Sequence, residues 1–378
     1  MSGHTFYVNN YIRDYTMKDY AKGGIPQPID LDCSLGVNPE DLPPAVAAKL
    51  KTIGQDTIKH YPHDETVLDA IAAYYRNKSR DLNWLTRDFM YLGNGSIDIL
   101  QNLNLLFLTG GKKVLGQGPQ FTAYVDQVAC LGAVYEYYAM EKPKNYQFEA
   151  ANYIAKMNDA YALFIVENPN NPTGQAIALA DIEKIAETAA AMNKILIVDE
   201  AYGDYLPIAD SALNLVPKHP NIVVTRTFSK GFGLAGLRLG YVITANDEIN
   251  DTLEQFKKVE NQFSANGIAR LLAITFLESQ TNTPNIRQIK ADKSAVTAAI
   301  TKFKLAHTAE TTPLMTLYYE GSRDFDLQTW LYDTARLWTV SCASYDELDQ
   351  NAVRLMLPKT SQIETLKTLL LKSQNLLQ

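Results

Sequence analysis

Cysteine is scarce in this chain of 378 residues, and its three cysteines, Cys33, Cys130 and Cys342, lie far apart. Because no two of them form a C-x-x-C pair, the sequence encodes neither a disulfide framework nor a structural zinc site. Runs of Lys or Arg are also missing and the net charge is −7, which excludes general binding of nucleic acid. No apolar stretch is long enough to cross a bilayer, and the N-terminus lacks an apolar signal core. These absences predict a cytoplasmic protein.

Short apolar runs alternate with helical patterns between residues 88 and 245. The later runs are rich in Ile, Val, Leu and Phe and do not alternate with polar residues, which is typical of strands buried on both faces. We therefore predict an α/β domain with a mostly parallel sheet. The predicted strands are Phe89–Leu92, Lys113–Leu115, Ala162–Val166, Ile195–Val198 and Ile222–Thr225, with helices such as Asp181–Met192 between them.

The last third of the chain predicts a second, smaller α/β domain. Its helical patterns cover Asp247–Glu260, Asn285–Phe303, Asp326–Ala335 and Ser361–Leu377, and its predicted strands are Leu314–Tyr319, Trp338–Val340 and Val353–Leu357. Residues 20–45 are rich in Gly and Pro, which favours irregular chain. We expect an N-terminal arm over residues 1–45 that joins the small domain and a dimer contact, a large domain over 46–275 and a small domain over 276–378.

A lysine and an aspartate each follow a predicted buried strand. Lys230 lies in TFSKGFG, where hydroxyls and glycines let the backbone approach a ligand, and Asp199 ends the strand IVD. The carboxyl ends of parallel strands are where α/β proteins place ligands. A lysine with a lowered pKa is a nucleophile that forms Schiff bases. A buried Asp needs a partner, either a cation or the free N–H groups of a helix that it caps.

Two further segments predict turns beside these residues. The run ENPNNPTG, residues 167–174, has two Asn-Pro steps and a Gly, which favour a rigid turn after a strand. Gly95 and Ser96 precede a helical pattern, where free backbone N–H groups and the helix dipole attract an anion. Neither a Walker A motif nor GxGxxG is present.

The order GNGS, PQF, NPNNPTG, DEAY and TFSKGFGLAGLRLGY resembles the fold-type I enzymes that use pyridoxal 5′-phosphate (PLP). It is most similar to class I/II aminotransferases of the histidinol-phosphate aminotransferase-like branch. The resemblance runs from Asp30 to about Leu357. It implies a PLP-transferase fold: a large domain with a mostly parallel central sheet and a smaller C-terminal α/β domain.

The resemblance implies a role for each residue around the cofactor ring. Lys230 would hold PLP as a Schiff base and carry the proton between the substrate Cα and the cofactor. Asp199 would pair with the protonated ring nitrogen. Asn171 and Tyr202 would hydrogen-bond the ring hydroxyl, and Phe121 would stack on the ring. Lys230, Asp199 and Tyr202 are the expected catalytic residues.

The resemblance also implies a phosphate site and a substrate site. Arg238 would grip the cofactor phosphate, because a guanidinium suits a phosphate fork. Further donors to the phosphate would come from Thr227, Ser229, Gly95, Ser96 and the backbone of Ile97, and from Tyr61 of the neighbouring subunit in a homodimer. Arg354, in NAVRL, would bind the substrate α-carboxylate, with Asn171 beside it. Asn38 would lie in the arm over the substrate.

One position departs from the histidinol-phosphate branch. Val340 aligns with the arginine that binds a substrate phosphate there, and an apolar side chain cannot pair with a dianion. We therefore expect a ping-pong aminotransferase that acts on a non-phosphorylated α-amino acid and a 2-oxo acid. The alternatives are a histidinol-phosphate aminotransferase proper and a PLP-dependent decarboxylase, racemase or lyase. A regulatory PLP-binding module is disfavoured because the motifs fill the chain and Lys230, Asp199 and Arg354 are all present.

Overall fold

The computed structural model describes residues 8–18, 24–63, 65–260, 263–279, 284–322 and 324–377. Its strands are β1 (Leu31–Asp32), β2 (Met90–Gly93), β3 (Lys113–Gly118), β4 (Val134–Ala139), β5 (Tyr161–Glu167), β6 (Leu196–Asp199), β7 (Ile222–Thr227), β8 (Gly240–Ile243), β9 (Lys304–Leu305), β10 (Leu314–Tyr318), β11 (Leu337–Trp338), β12 (Val340–Ser341) and β13 (Ala352–Met356).

The helices follow the apolar periodicity of the sequence. They are α1 (Asn10–Arg13), α2 (Pro44–Leu50), α3 (Asp56–Lys59), α4 (Thr66–Lys78), α5 (Ser96–Phe107), α6 (Thr122–Cys130), α7 (Ala150–Lys156), α8 (Leu179–Ala191), α9 (Asp247–Glu260), α10 (Gly267–Ser279), α11 (Ile286–Ala298), α12 (Leu327–Ala335) and α13 (Ile363–Asn375). In α8, Ile182, Ile185, Ala186 and Ala189 are the buried residues, and their spacing puts them on one face. Among the described residues, no helix combines the length and the apolar character that a membrane span requires.

A seven-stranded sheet forms the centre of the large unit, in the order β2-β8-β7-β6-β5-β3-β4. Strands β3 to β7 run parallel, and β8 runs antiparallel to both of its neighbours. Every residue of β6 and β7 is buried, since helices cover both faces of the sheet. The predicted α/β class with a mostly parallel sheet is confirmed.

The neighbouring strands β5, β6 and β7 end at one edge of this sheet. Glu167 pairs in register with Asp199, and Asp199 pairs with Thr225. The parallel register therefore brings the last residues of β5 and β6 beside Thr225, two residues before the end of β7, and the segments that follow the three strands start from the same edge.

Two strands of the central sheet were not predicted. The sequence of β4, VYEYYA, mixes Glu with Tyr, and most of its side chains are only partly buried because β4 is an edge strand. An edge strand has no need of the continuous apolar run by which β5, β6 and β7 were recognised. The strand β8 lies inside the glycine-rich stretch after Lys230 and has only four residues.

A second sheet, β12-β13-β10-β9, is antiparallel and belongs to the C-terminal third. The arm strand β1 pairs in parallel with β11, so that Leu31 joins the apolar core of this part of the chain. The predicted strand Trp338–Val340 is divided, because β11 pairs with β1 whereas β12 pairs with β13. The domain boundaries proposed at residues 45 and 275 stay predictions.

Helix α11 ends earlier than its sequence pattern predicts, at Ala298 instead of Phe303. The cause is Gln374 on α13, whose side-chain oxygen accepts hydrogen bonds from the backbone N–H groups of Thr301, at 2.6 Å, and Lys302, at 2.8 Å. A helix that continued would need those N–H groups for its own ladder. The side chain of Phe303 is buried with the core of the C-terminal sheet instead.

A buried ion network lies next to the loop that follows β7 and carries Lys230. The Arg226 guanidinium lies 2.5 Å from the Glu200 carboxylate and 3.2 Å from that of Asp204, and it also donates to the Ser211 hydroxyl at 2.9 Å. Asp204 packs directly under Gly231, where a Cβ would lie 2.3 Å from the Asp204 Cβ. The network therefore ties the end of β6 to the loop that carries Lys230.

Arg226→Met is expected to lower the free energy of unfolding by about 3–5 kcal/mol, because it leaves two buried carboxylates without their cation. The matched control is Arg87→Met, which breaks a half-exposed pair with Asp69 and should cost at most about 1 kcal/mol. Urea unfolding at one protein concentration measures both. Equal losses in the two variants would contradict the importance of the buried network.

Candidate active site

A cavity of about 260 Å³ opens at the carboxyl edge of the central sheet. Its lining includes most of the residues predicted to hold the cofactor: Ser96, Ile97, Phe121, Asn171, Asp199, Tyr202, Thr227, Ser229, Lys230 and Arg238. These residues come from loops that are far apart in sequence, and the order of the strands brings them together. Their individual roles stay predictions.

Lys230 is half-buried, with its Nζ atom 5.3 Å from the centre of the Tyr202 ring. The backbone of this loop is held by the arm, since the Asn38 N–H donates to the Lys230 carbonyl oxygen at 2.9 Å. The Tyr202 hydroxyl donates to the Gly36 carbonyl oxygen at 3.1 Å. A side chain at Gly36 would collide with that hydroxyl, because its Cβ would lie 2.5 Å away. The arm thus closes on the lysine loop from one side.

The Asp199 carboxylate lines the cavity and is 4% exposed. It accepts hydrogen bonds from the Thr225 hydroxyl at 2.7 Å and from the Ala201 N–H at 3.1 Å. Burial raises the pKa of Asp199 to about 6, against the opposing effects of these hydrogen bonds and of Lys230. A buried carboxylate with a raised pKa fits a site that receives a cation, as a protonated pyridine nitrogen is.

The other end of the cavity is built for an anion. Arg238 donates from Nη2 to the Asn94 carbonyl oxygen at 3.2 Å, and its guanidinium packs on Gly95, where a Cβ would lie 2.7 Å from Nη2. Gly95 also has a φ of 92°, which favours glycine. Helix α5 starts at Ser96, so that its free N–H groups and dipole lie here. These donors, with the hydroxyls of Thr227 and Ser229, suit a phosphate group.

A larger cavity of about 630 Å³ shares Phe121, Asn171 and Lys230 with the first. Arg354 forms part of its wall, buried, with Nη1 donating to the Asn171 side-chain oxygen at 3.4 Å and Nη2 donating to the Ser34 carbonyl oxygen. Its Nε has no hydrogen-bond partner among the described residues. A buried guanidinium with a spare donor suits a substrate carboxylate.

Three predicted residues are not part of the lining of these cavities: Gly95, against which the Arg238 guanidinium packs, Tyr61 and Asn38. Tyr61 is 70% exposed and stacks on Phe263, with ring centres 4.7 Å apart. Asn38 does not line the larger cavity: its side-chain amide donates to the Gly231 carbonyl oxygen at 2.9 Å, so it holds the loop that carries Lys230.

Sequence reasoning did not single out several cavity residues. Glu167 at the end of β5 lines the first cavity, and Trp338, Gln328 and Leu35 line the second. The position of Glu167, directly after the apolar run of β5 as Asp199 follows that of β6, is a signal in the sequence. No comparable signal marks the other three, because they reach the cavity through pairing between the arm and the C-terminal third.

Comparisons with known proteins identify the family. The profile of the family "Aminotransferase class I and II" matches residues 29–368. The histidinol-phosphate aminotransferase of Corynebacterium efficiens is 31% identical over 62% of this chain and 64% of its own length, so the chain spans slightly less than two thirds of that relative. An aromatic amino acid aminotransferase of Mycobacterium sp. (strain KMS) is 30% identical over 68% of this chain and 70% of its own.

A solved structure shares the fold. The histidinol-phosphate aminotransferase of Sinorhizobium meliloti, in complex with pyridoxal-5′-phosphate, superposes with a TM-score of 0.74 at 19% identity and covers 91% of each chain. The chain belongs to the class I and II aminotransferases. The predicted family, the fold-type I architecture and PLP as cofactor are thereby confirmed.

The raised pKa of Asp199 makes stability depend on pH in a stated direction. Between the unfolded value of about 4 and the folded value of about 6, the folded state binds more protons than the unfolded state. Stability of the cofactor-free protein therefore falls as pH rises through this window. Asp199→Asn keeps the hydrogen-bond acceptor and removes the charge, so we expect it to raise the unfolding free energy at pH 7 by roughly 2–3 kcal/mol.

Urea unfolding of the two cofactor-free proteins at pH 4 and pH 7 measures this effect. The higher unfolding free energy of Asp199→Asn, relative to the parent, should be present at pH 7 and absent at pH 4. The same substitution should weaken PLP binding, because it removes the counter-charge of the ring. An Asp199→Asn variant that is less stable than the parent at pH 7 would show that the ionised carboxylate stabilises the empty cavity.

Proposed function

We propose that this enzyme transfers an amino group between an α-amino acid with an uncharged, non-phosphorylated side chain and a 2-oxo acid, in a ping-pong reaction. The observation that carries the proposal is the placement of Lys230 and Arg354 in the wall of one cavity. The buried guanidinium of Arg354 suits the carboxylate that every α-amino acid carries, and the amine of Lys230 would hold the cofactor aldehyde with which the substrate's α-amino group reacts.

Each residue has a physical task in this reaction. When bound, PLP supplies an electron sink for the pair of electrons released at the substrate Cα. Lys230 takes the Cα proton and returns it, as a base and then an acid. Asp199 balances the positive charge of the ring nitrogen, and Asn171 and Tyr202 donate to or accept from the ring hydroxyl.

Arg238 orients the cofactor and Arg354 orients the substrate. Arg238 and the start of α5 hold the phosphate, while Arg354 holds the substrate carboxylate from the other side of Lys230. The arm residues Leu35 and Gly36 lie in the wall of the substrate cavity and reduce its access to water. With the cofactor phosphate and the substrate carboxylate both held, the bond that must point toward Lys230 for this reaction is the Cα–H bond.

The lining of the substrate cavity combines apolar and neutral polar side chains. Val340, Trp338 and Leu35 line it together with Gln328, Ser341 and Ser344, and Val340 takes the place of the arginine expected for a phosphorylated substrate. Lys18 also lines this cavity, but its ammonium is paired with Asp346 at 2.6 Å. These features favour a neutral or aromatic side chain, in line with the aromatic amino acid aminotransferase among the relatives.

Histidinol-phosphate aminotransfer is the second candidate, since relatives such as the Corynebacterium efficiens enzyme carry that name. Decarboxylation, racemisation or elimination on the same cofactor would need a different Cα bond aligned. The cytoplasmic location expected from the sequence stays a prediction.

A panel of amino donors distinguishes these reactions. Without an acceptor, the PLP-loaded enzyme should release one oxo acid per site from a neutral or aromatic donor, as a ping-pong scheme requires. The kcat/KM for that donor should exceed the value for histidinol phosphate by about 100-fold, because a dianion beside Val340 has no partner. Lys230→Ala, the control, should show no turnover. Carbon dioxide, ammonia or the opposite enantiomer as product would contradict aminotransfer, and a preference for histidinol phosphate would establish the second candidate.

We propose further that the enzyme is a homodimer in which Tyr61 completes the phosphate site of the partner subunit. Tyr61, Ile58 and Val259 are 70%, 71% and 88% exposed in the single chain. This exposure leaves the three side chains available for contact with a partner subunit. Tyr61 does not line the cofactor cavity of its own chain, which is consistent with a role in the other subunit.

Subunit mixing tests the shared site. Lys230→Ala and Tyr61→Ala should each be impaired alone at limiting PLP. In a random mixture of the two, about a quarter of the parent activity should return, because half of the dimers are hybrids with one intact site out of two. The control is a mixture of Lys230→Ala with Arg354→Gln, two residues of the same chain's cavity, which should restore nothing. Absence of recovery in the first mixture would contradict the role of Tyr61.

A further inference from the structure

Glu167 is a buried carboxylate that the proposed chemistry does not use. It is 4% exposed, lines the cofactor cavity and lies beside Asp199 in the register of β5 and β6. Burying a carboxylate is costly unless it has compensating partners. A carboxyl group kept at this position therefore calls for a function.

The partners of Glu167 are all hydrogen-bond donors. The Phe121 N–H donates at 3.2 Å to Oε1, while the Asn171 N–H at 3.2 Å and the Asn170 side-chain amide at 3.0 Å donate to Oε2. The Phe121 N–H also lies 3.4 Å from Oε2, and a carboxylate offers it an acceptor on either oxygen. In a glutamine, the –NH₂ group would face an N–H group whichever way the amide turned.

Two of these donors belong to residues on the walls of the cavity. Phe121 is expected to stack on the cofactor ring, and Asn171 is expected to contact the ring hydroxyl. The Asn171 side-chain oxygen also accepts a hydrogen bond from Arg354 Nη1 at 3.4 Å. The third donor, Asn170, also donates to the Pro119 carbonyl oxygen at 2.9 Å and so ties the two loops together. One carboxylate thus fixes the loop before α6 and the loop after β5.

The electrostatic setting favours a cationic ligand. Burial, with Asp199 close by, raises the pKa of Glu167 well above its usual range, while the three donors lower it. The other titratable groups that act on Glu167 include the buried phenols Tyr135 and Tyr345. Two carboxylates at neighbouring strand ends make the base of the cavity suited to a positively charged ring.

We propose that Glu167 is a positioning residue for the cofactor: its carboxylate fixes the backbones of Phe121 and Asn171, and thereby the ring-stacking face and the ring-hydroxyl contact, relative to Asp199. This inference rests on the assignment of PLP to the cavity. It predicts that the charge and the geometry of Glu167 affect how tightly and in what orientation PLP binds, beyond any effect on stability.

Glu167→Gln tests the proposal by two measurements on the cofactor. We expect the dissociation constant for PLP, from titration of the cofactor-free protein, to rise about tenfold, because one buried donor loses its acceptor. The visible circular dichroism per bound cofactor should also fall, since it reports the fixed orientation of the ring. Glu254→Gln, which removes one exposed negative charge on α9, is the matched control and should change neither quantity.

The results with Glu167→Gln distinguish a positioning role for Glu167 from a purely structural one. A folded Glu167→Gln protein with unchanged affinity and dichroism, or with lowered stability alone, would overturn the proposal. If this variant does not fold, Asn170→Ala decides, because it removes one donor and keeps the charge. It should weaken PLP binding two- to fivefold, and no change would overturn the proposal. If the parent protein binds no PLP, the cofactor assignment itself is wrong, which is a different result.

Discussion

The register of three parallel strands is the constraint on which the site depends. Because β5, β6 and β7 end at the same edge, Glu167, Asp199 and Thr225 stand in a row across the sheet. Each following loop then supplies a different part of the cavity: Asn171 after β5, Tyr202 after β6 and Lys230 after β7. A shift of one residue in either pairing would turn the carboxylates to the other face of the sheet.

This arrangement places like charges where folding alone would avoid them. Two carboxylates in the base of one cavity oppose each other's ionisation, and burial adds to that cost. The Arg226 network, in contrast, holds the carboxylates of Glu200 and Asp204 against a buried cation, with Asp204 next to Gly231. The carboxylates of Glu200 and Asp204 thus contact a buried guanidinium, whereas those of Glu167 and Asp199 accept hydrogen bonds from neutral donors. Such a difference is expected where binding supplies the missing charge.

The cofactor half of the site was predictable because its residues follow apolar runs in the sequence. Asp199, Asn171 and Lys230 each stand just after a strand that hydrophobicity alone reveals, and their motifs resemble a known family. Glu167 carries the same positional signal, although the Asn-Pro steps that follow it predict only a turn. The predicted extension of α11 to Phe303 is wrong because Gln374, far along the chain, takes the backbone N–H groups there. The predicted single strand Trp338–Val340 is divided because β11 pairs with the arm strand β1. Local periodicity carries no information on such partners.

The substrate half depends on contacts between segments that are about 300 residues apart. Leu31 pairs with Leu337, and Ser34 accepts a hydrogen bond from Arg354, so the arm and the C-terminal sheet shape the cavity together. A change in the arm or in β11 and β12 therefore alters the side-chain end of the cavity without touching the strands that hold Asp199 and Lys230. This separation lets one cofactor site serve different substrates. It also explains why the sequence identified the reaction family more readily than the amino donor.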